Sequence, residues 1–221
     1  MEPNPEQLLI FIDAALLVVN KPSGVLTLPD GYDREKPHLR SLLEPSYGRL
    51  WIVHRLDRDT SGIILLARSA EAHRHLNTQF QENQVKKLYH ALVLGNPPWQ
   101  TLTLKDPLRP DGDRRHRTII DPKRGKTAIT DLRMLKHHEG YSLLEASPQT
   151  GRTHQIRAHL RHTGYPILGD PLYGDPSHPS HALLPRLGLH ARSLSLVHPQ
   201  TEEPIQLEAP YHEDFSKLLG A

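Results

Sequence analysis

The 221-residue chain contains no cysteine. This excludes a disulfide-stapled scaffold, a zinc site with thiolate ligands and a cysteine nucleophile. Apolar runs such as residues 16–19 and 63–67 are far shorter than the roughly 20 residues that a membrane helix needs. The first residues lack the basic segment and apolar core of a signal peptide. We therefore expect a cytoplasmic protein without a membrane partner.

The chain also has little net charge and few aromatic residues. Its 27 Lys and Arg residues and 25 Asp and Glu residues give a formal charge of +2, which is too small to indicate nucleic-acid binding. Such binding must be inferred from where the charges lie, and they are densest in residues 106–126. In contrast, 16 histidines are present, which raises the question of a metal site.

The order of apolar segments predicts the fold class. Some predicted strands follow each other as hairpins, and others are separated by amphipathic helices such as the one after Ser69. This arrangement is typical of an α+β protein with a mixed, largely antiparallel β-sheet and flanking helices and loops. No shift in composition marks a boundary, so we predict one domain over residues 1–221, with a core of about residues 8–210.

The first candidate site is residues 54–62, between two predicted strands. Asp57 lies between Arg55 and Arg58, and nearby cations favour an ionised carboxylate. An ionised aspartate held between two strands can act as a nucleophile or a base. The alternative is a charged surface loop with a solvated ion pair.

The second candidate site is residues 149–157, where a predicted strand gives way to a helix. Arg152 lies at this junction, a common position for site residues. Arg157 and Arg161 are one turn apart and are predicted to share a solvent face away from Ile156 and Leu160. The helix N-terminus also favours phosphate. The alternative is an amphipathic helix with a solvated basic face.

Other chemistries find little support in the motifs. No His-Glu-x-x-His motif is present. The predicted helix that contains His154, His159 and His162 has no carboxylate to complete a metal site. The chain also lacks a serine-hydrolase elbow, a Walker loop and a dinucleotide fingerprint. A glycosidase would need a carboxylate facing Asp57, and Asp59 is too close in sequence to be an obvious partner. We predict no metal.

Several separated blocks resemble the RluA-type pseudouridine synthases, in the order of that family. The blocks are residues 18–24, His54–Asp57 with Thr60–Gly62, Lys87–Tyr89, Gly125–Thr130, Gly151–Arg157, Pro166–Asp170 with Tyr173–Gly174, and Leu189–Ala191.

The resemblance implies a pseudouridine synthase catalytic fold with a central RNA-binding cleft and isomerisation of specific uridines in RNA. It implies that Asp57 is the essential aspartate, that Tyr89 stacks on the target uracil, and that Arg152 pairs with Asp57. Arg55 would help fill the gap left by the flipped nucleotide. The residues expected to bind RNA are His54, Arg55, Arg58, Thr60, Lys126, His154, Gln155 and Arg157.

The resemblance also bears on cofactors and partners. The reaction breaks an N1–C1′ bond and forms a C5–C1′ bond without net oxidation, so no cofactor is expected. Many family members carry an S4 domain before the catalytic domain, and we expect none here. The expected partner is a stem-loop of ribosomal or transfer RNA, bound by a monomer through residues 109–126 and the Arg157–Arg161 face. The alternative is a catalytically silent RNA-binding protein on the same fold.

Overall fold

A computed structural model describes residues 3–31, 33, 35–174 and 183–220. The helices are α1 (Pro5–Leu8), α2 (Leu39–Tyr47), α3 (Ala70–Gln81), α4 (Gln155–His162) and α5 (Glu213–Leu219). The strands are β1 (Leu9–Ile12), β2 (Leu16–Lys21), β3 (Trp51–Ile52), β4 (Ser61–Ala67), β5 (Lys86–Leu94), β6 (Thr101–Leu104), β7 (Leu108–Arg109), β8 (Ile119–Ile120), β9 (Thr130–His137), β10 (Tyr141–Pro148), β11 (Leu189–Val197) and β12 (Pro204–Glu208).

The chain divides into two compact units, of which the first contains residues 1–87 and 191–211. The second contains residues 88–190 and 212–221. A single catalytic domain over the whole chain therefore stays a prediction. No helix in the described part of the chain is long and apolar enough to cross a bilayer.

The first unit is built on β2 and β4, which pair antiparallel from Leu16–Ala67 to Lys21–Gly62. Both strands are buried on both faces, as their unbroken apolar runs predict. β1 pairs with β2, β11 lies beside β4, and β12 pairs with β11. Gly62 has φ 111°, and a Cβ there would collide with the backbone of Ala191 in β11. Helix α3 packs on this sheet and begins with the predicted Ser69 cap.

The second unit contains the antiparallel strand order β5-β10-β9-β6. Helix α4 packs against β9 and β10, with Ile156 and Leu160 buried in a core that includes Val93 and Leu144. A separate two-stranded sheet is formed by β7 and β8, with only two residue pairs. The α+β class with a largely antiparallel sheet is thus confirmed.

Several elements are absent from the sequence prediction. Helix α5, at the C-terminus, has only seven residues, too few for a helical period to emerge. The hairpin of β7 and β8 lies in the charged stretch, where no apolar alternation marks its two-residue strands. The sequence predicts a short helix over Leu39–Leu43, and helix α2 extends beyond it to Tyr47. It does so through Pro45, although an internal proline removes a backbone donor. Its end is marked by Gly48, whose N–H donates to the carbonyl of Glu44.

Candidate active site

Asp57 lies in the loop between β3 and β4, and we call residues 54–60 the aspartate loop. Asp57 is half-buried, whereas Arg55 and Arg58 on either side of it are exposed. The N–H of Thr60 donates to the Asp57 carbonyl over 3.1 Å, which closes a turn immediately before β4. The loop therefore presents the Asp57 carboxylate between two exposed cations, of which Arg58 also pairs with Asp59 of the same loop.

A buried lysine at the end of β2 holds the aspartate loop. Lys21 is completely buried, and its Nζ donates to the carbonyls of Pro22, Val25 and Arg58 at 3.0, 2.8 and 2.9 Å. An ammonium group has three donors and no acceptor, so three carbonyls match it. The cation thus fixes the backbone one residue after Asp57.

Hydroxyl and amide groups of the segment after Lys21 add to this anchor. Ser23 Oγ donates to the carbonyl of Asp59 over 2.7 Å, and the N–H of Gly24 donates to the carbonyl of Arg58 over 2.9 Å. Thr27 Oγ1 donates to the carbonyl of Leu56 and accepts from its N–H. The backbone is therefore fixed immediately before and after Asp57.

His54 is half-buried and forms the start of the aspartate loop. Its Nε2 accepts a hydrogen bond of 3.0 Å from the N–H of Leu65, and its ring stacks on Phe80 with centroids 4.7 Å apart. Burial, together with the Lys87 ammonium, lowers the pKa of His54 to about 3. The ring is therefore neutral at physiological pH and anchors the loop to β4 and α3, while its contact with RNA stays a prediction.

Tyr89 lies in the second unit, on β5 opposite Ala146 of β10. Its ring packs against the core of that unit and remains half-buried. The sheet therefore fixes the direction of this aromatic ring, as stacking on a base would require.

Arg152 lies in the second unit in the turn between β10 and α4, and we call residues 149–154 the arginine turn. Gln155 is buried and holds it: its Oε1 accepts from Thr150 Oγ1 and from the N–H of Arg152, at 2.8 and 3.0 Å. Its Nε2 donates to the carbonyl of Ile129 and to Thr130 Oγ1, both at 2.9 Å. The Arg152 side chain is exposed, and its Nε donates to the carbonyl of Thr127.

His154 ends the turn and starts the helix in the left-handed region, with φ 51°. Its side chain makes no capping bond, and it directs the chain from the turn into α4. A residue other than glycine in this conformation is uncommon and is tolerated where surrounding contacts hold it.

The structure corrects the prediction of an exposed face shared by Arg157 and Arg161. Arg161 is exposed, but Arg157 is 3% exposed and its Nε and Nη2 donate to both carboxylate oxygens of Asp170 at 2.9 and 2.8 Å. The apolar residues Ile156 and Leu160 contact the sheet, and Arg157 is buried beside them because Asp170 supplies its counter-charge.

Two other residues that are expected to contact RNA are also buried. Thr60 is 2% exposed and Gln155 is 4% exposed. Both residues form hydrogen bonds that fix the aspartate loop and the arginine turn. Polar side chains inside a fold are used to satisfy backbone groups, and a sequence motif alone does not distinguish this use from contact with a ligand.

The charged stretch forms a hairpin, and we call residues 108–120 the basic hairpin. Two of its arginines pair with nearby carboxylates: Asp113 of the hairpin accepts from Arg117, and Asp121, directly after the hairpin, accepts from Arg109, each over 2.7 Å. The hydrogen bond from Arg109 lowers the pKa of Asp121, which keeps this pair charged. Arg114 and Arg115 are exposed and pair with no carboxylate among the described residues.

Lys126 lies beside the hairpin, and its backbone bridges to Leu108. Its side chain is exposed. The tip of the hairpin and Lys126 therefore form a positively charged surface of the second unit.

Several of the histidines form side-chain hydrogen bonds within the fold. His159 is completely buried; its Nδ1 lies 2.9 Å from Thr130 Oγ1 and its Nε2 lies 3.0 Å from the carbonyl of Asp106. His198 places Nε2 2.8 Å from Asp13, and its Nδ1 accepts from two backbone amides. Within the described residues, no three His, Asp or Glu side chains are grouped as metal ligands.

The predicted residues are thus divided between the units. The first holds His54, Arg55, Asp57, Arg58 and Thr60; the second holds Tyr89, Lys126, Arg152, His154, Gln155 and Arg157. The sequence prediction did not identify the structural roles of Lys21 and Tyr173. A lysine two residues after the buried run 16–19 was a usable signal, because a charge at the end of a buried strand needs partners.

The residues that carry these features match a known family. A model of the RNA pseudouridylate synthases matches residues 15–162. An uncharacterized RNA pseudouridine synthase of Chloroflexus aurantiacus is 43% identical over 90% of this chain, and the chain spans 64% of that relative. Ribosomal large subunit pseudouridine synthase D of Zymomonas mobilis is 35% identical, covering 96% of the chain and 71% of the relative. Synthase C of Vibrio parahaemolyticus is 38% identical, covering 97% and 69%.

Solved structures agree with these relatives. The human RNA pseudouridylate synthase domain containing 1 superposes with a TM-score of 0.79 at 29% identity, covering 96% of this chain and 86% of the human one. The human domain containing 4 gives the same TM-score at 26% identity, covering 98% and 94%. The fold expected from the motifs is thereby confirmed.

Proposed function

Because the chain belongs to the RNA pseudouridylate synthase family, we propose that it isomerises uridine in structured RNA to pseudouridine, with Asp57 as the essential carboxylate. The observation that carries this proposal is the anchored aspartate loop. Lys21, Ser23 and Thr27 fix its backbone, while the carboxylate lies between exposed arginines. A reacting group on a rigid loop can be held in one geometry throughout a reaction.

The chemistry is a rearrangement within one nucleotide. The N1–C1′ bond breaks, the uracil turns, C5 bonds to C1′, and the proton on C5 is released to solvent while N1 gains one. Atoms and electrons balance without an oxidant or a reductant. The target nucleotide must leave the stack, because C1′ and N1 cannot be reached inside a helix. We assign the C5 proton step and base stacking to Tyr89, and the orienting charge to Arg152.

The proposed RNA surface consists of exposed or half-buried groups in each unit. In the first unit, Arg55 and Arg58 flank Asp57. In the second unit, Lys126 lies beside the basic hairpin and His154 is the last residue of the arginine turn. The relatives named for the large ribosomal subunit support ribosomal RNA as the first substrate to test. Transfer RNA is the second.

The decisive experiment measures tritium release from RNA that contains 5-tritiated uridine. We expect wild-type protein to release tritium from large-subunit ribosomal RNA or transfer RNA, and Asp57→Asn to reduce the rate at least about a thousandfold. Asp59→Asn is the matched control, because Asp59 is two residues away and pairs with Arg58 at the surface. Its rate should stay close to that of wild type.

Two outcomes would contradict the proposal. Normal turnover by Asp57→Asn would remove this carboxylate from the chemistry. Tight RNA binding by the wild type without tritium release from any of these RNAs would favour the catalytically silent RNA-binding alternative.

A further inference from the structure

The basic hairpin needs an anchor outside its own strands. β7 and β8 form two residue pairs, and the hairpin is joined to the following segment by the bridge between Leu108 and Lys126. A two-stranded hairpin is marginally stable in water even when it is longer. Its exposed Arg114 and Arg115 can have a fixed position only if another part of the unit holds the hairpin.

The hydroxyl of Tyr173 provides such an anchor. Tyr173 is 3% exposed, and its hydroxyl oxygen accepts from the N–H of Thr118 over 2.8 Å and lies 3.3 Å from the carbonyl of the same residue. Thr118 is itself buried and directly precedes β8. The Tyr173 side chain thus contacts both the N–H and the carbonyl of Thr118, where the hairpin loop enters β8.

The same hydroxyl also contacts the end of the arginine turn. It lies 3.1 Å from Nδ1 of His154, and the two rings meet edge to face with centroids 5.7 Å apart. His154 is two residues after Arg152 and is the residue from which α4 begins. Tyr173 therefore contacts the hairpin and the arginine turn through one atom.

Tyr173 is held in place by the buried ion pair. Asp170 accepts from the backbone N–H groups of Leu172 and Tyr173, both at 2.9 Å, in addition to its two bonds from Arg157. The Arg157 guanidinium carbon lies 5.0 Å from the centre of the Tyr173 ring. Burial of the Arg157–Asp170 ion pair is costly unless both partners have all their hydrogen bonds. The bonds that Asp170 accepts from the backbone at Leu172 and Tyr173 meet this need and also position the tyrosine.

We propose that Tyr173 is a positioning residue for RNA: it fixes the exposed arginines of the basic hairpin relative to the arginine turn, so that one RNA can contact both. This inference rests on the proposed function, because it assumes that RNA binds there. It assigns no chemical step to the phenol. Removal of the hydroxyl should weaken productive RNA binding and leave the chemical step unchanged.

The first test compares Tyr173→Phe with Tyr165→Phe. Tyr165 belongs to the same unit and packs on its core, and its hydroxyl has no hydrogen bond to another described residue. In the free protein, Tyr173→Phe should speed amide exchange at Thr118 about tenfold or more, because a buried donor loses its acceptor. Tyr165→Phe should leave this exchange rate unchanged.

The same variants should separate binding from chemistry. We expect Tyr173→Phe to raise KM for the RNA that the wild type modifies about tenfold, with kcat within about twofold. The increase should vanish in a chain that already carries Arg114→Ala and Arg115→Ala, because the hairpin then has no exposed arginines left to position. Loss of general stability would raise KM by the same factor in both backgrounds.

Three results would overturn the inference: unchanged exchange at Thr118, unchanged KM, or the same increase of KM with and without Arg114 and Arg115. Failure of the proposed function has a different signature. Wild-type protein would then form no pseudouridine, while exchange at Thr118 in the free protein would still show whether Tyr173 anchors the hairpin.

Discussion

The aspartate loop and the arginine turn are held by different kinds of buried side chain, a charged one in the first and a neutral one in the second. In the first unit, the Lys21 ammonium donates to three carbonyls. Gln155 contacts two donors and two acceptors in the second. In each segment, the anchoring side chain therefore supplies the hydrogen-bond donors and acceptors that the groups around it require.

This difference has an energetic consequence. An ammonium has donors only and suits a loop whose carbonyls converge, whereas an amide has both and suits a turn that offers N–H and C=O groups. Burying a charge is costly unless all its hydrogen bonds are made. We therefore expect the free energy of unfolding to depend more on Lys21 than on Gln155. Variants of the two residues test this contrast, and the pH dependence of unfolding tests a further contact of the aspartate loop.

The largest effect is expected for Lys21→Met. The three carbonyls lose a charged donor in a buried place, so the free energy of unfolding should fall by about 3–5 kcal/mol. Urea denaturation measures this fall. Lys36→Met is the control, because Lys36 is exposed and pairs with Asp30 at the surface; it should cost less than about 1 kcal/mol. Equal losses in the two variants would contradict the assigned role of Lys21.

A smaller loss is expected for Gln155→Leu. The amide is neutral, and hydrogen bonds to a neutral group contribute less than those to a charged one, so the free energy of unfolding should fall by about 2–3 kcal/mol. Gln84→Leu, at an exposed glutamine outside both segments, should change stability by less than about 0.5 kcal/mol. If Gln155→Leu cost more than Lys21→Met, the contrast between the two anchors would be wrong.

The smallest effect is a dependence of stability on pH, and it arises from His54. The pKa of His54 is lowered to about 3 in the folded protein, while an unfolded histidine titrates near 6.5. Below pH 6.5 the unfolded chain therefore binds a proton that the folded protein excludes. The contribution is complete above pH 6.5 and is lost as the pH falls, by up to about 1.4 kcal/mol per pH unit.

Comparison of unfolding curves at pH 7 and pH 5.5 isolates this contribution. His54→Gln keeps an acceptor for the Leu65 amide without a titrating ring, so its stability should fall less between the two pH values than that of wild type. His162→Gln, at an exposed histidine, should follow the wild type. A pH dependence of His54→Gln equal to that of wild type would show that His54 titrates normally in the fold.

Sequence patterns predicted the central strands well, because burial leaves a local trace. The runs that became β2 and β4 are apolar on both faces, and the Ser69 cap gave the start of α3. The motifs also placed Asp57 and Arg152 in turns at strand ends. These features depend on neighbours in sequence, which periodicity and capping rules describe.

The environments of the charged residues could not be predicted in the same way. Arg157 has the spacing of a solvent-facing residue, yet Asp170, thirteen residues later, allows it to be buried. Thr118 and Tyr173 are 55 residues apart and meet through one hydroxyl. Such pairings depend on tertiary contacts, and local propensity contains no information about them.

The glycine that follows the aspartate loop limits how this protein can diversify. Any side chain at Gly62 would push against the backbone of Ala191, so a mutational library should be depleted at this position whatever substrate is selected. Arg55 and Arg58, a few residues earlier, are exposed and can vary without disturbing β4. Natural or directed change in substrate preference is therefore expected to accumulate at these two arginines, while the strand beneath them stays constant.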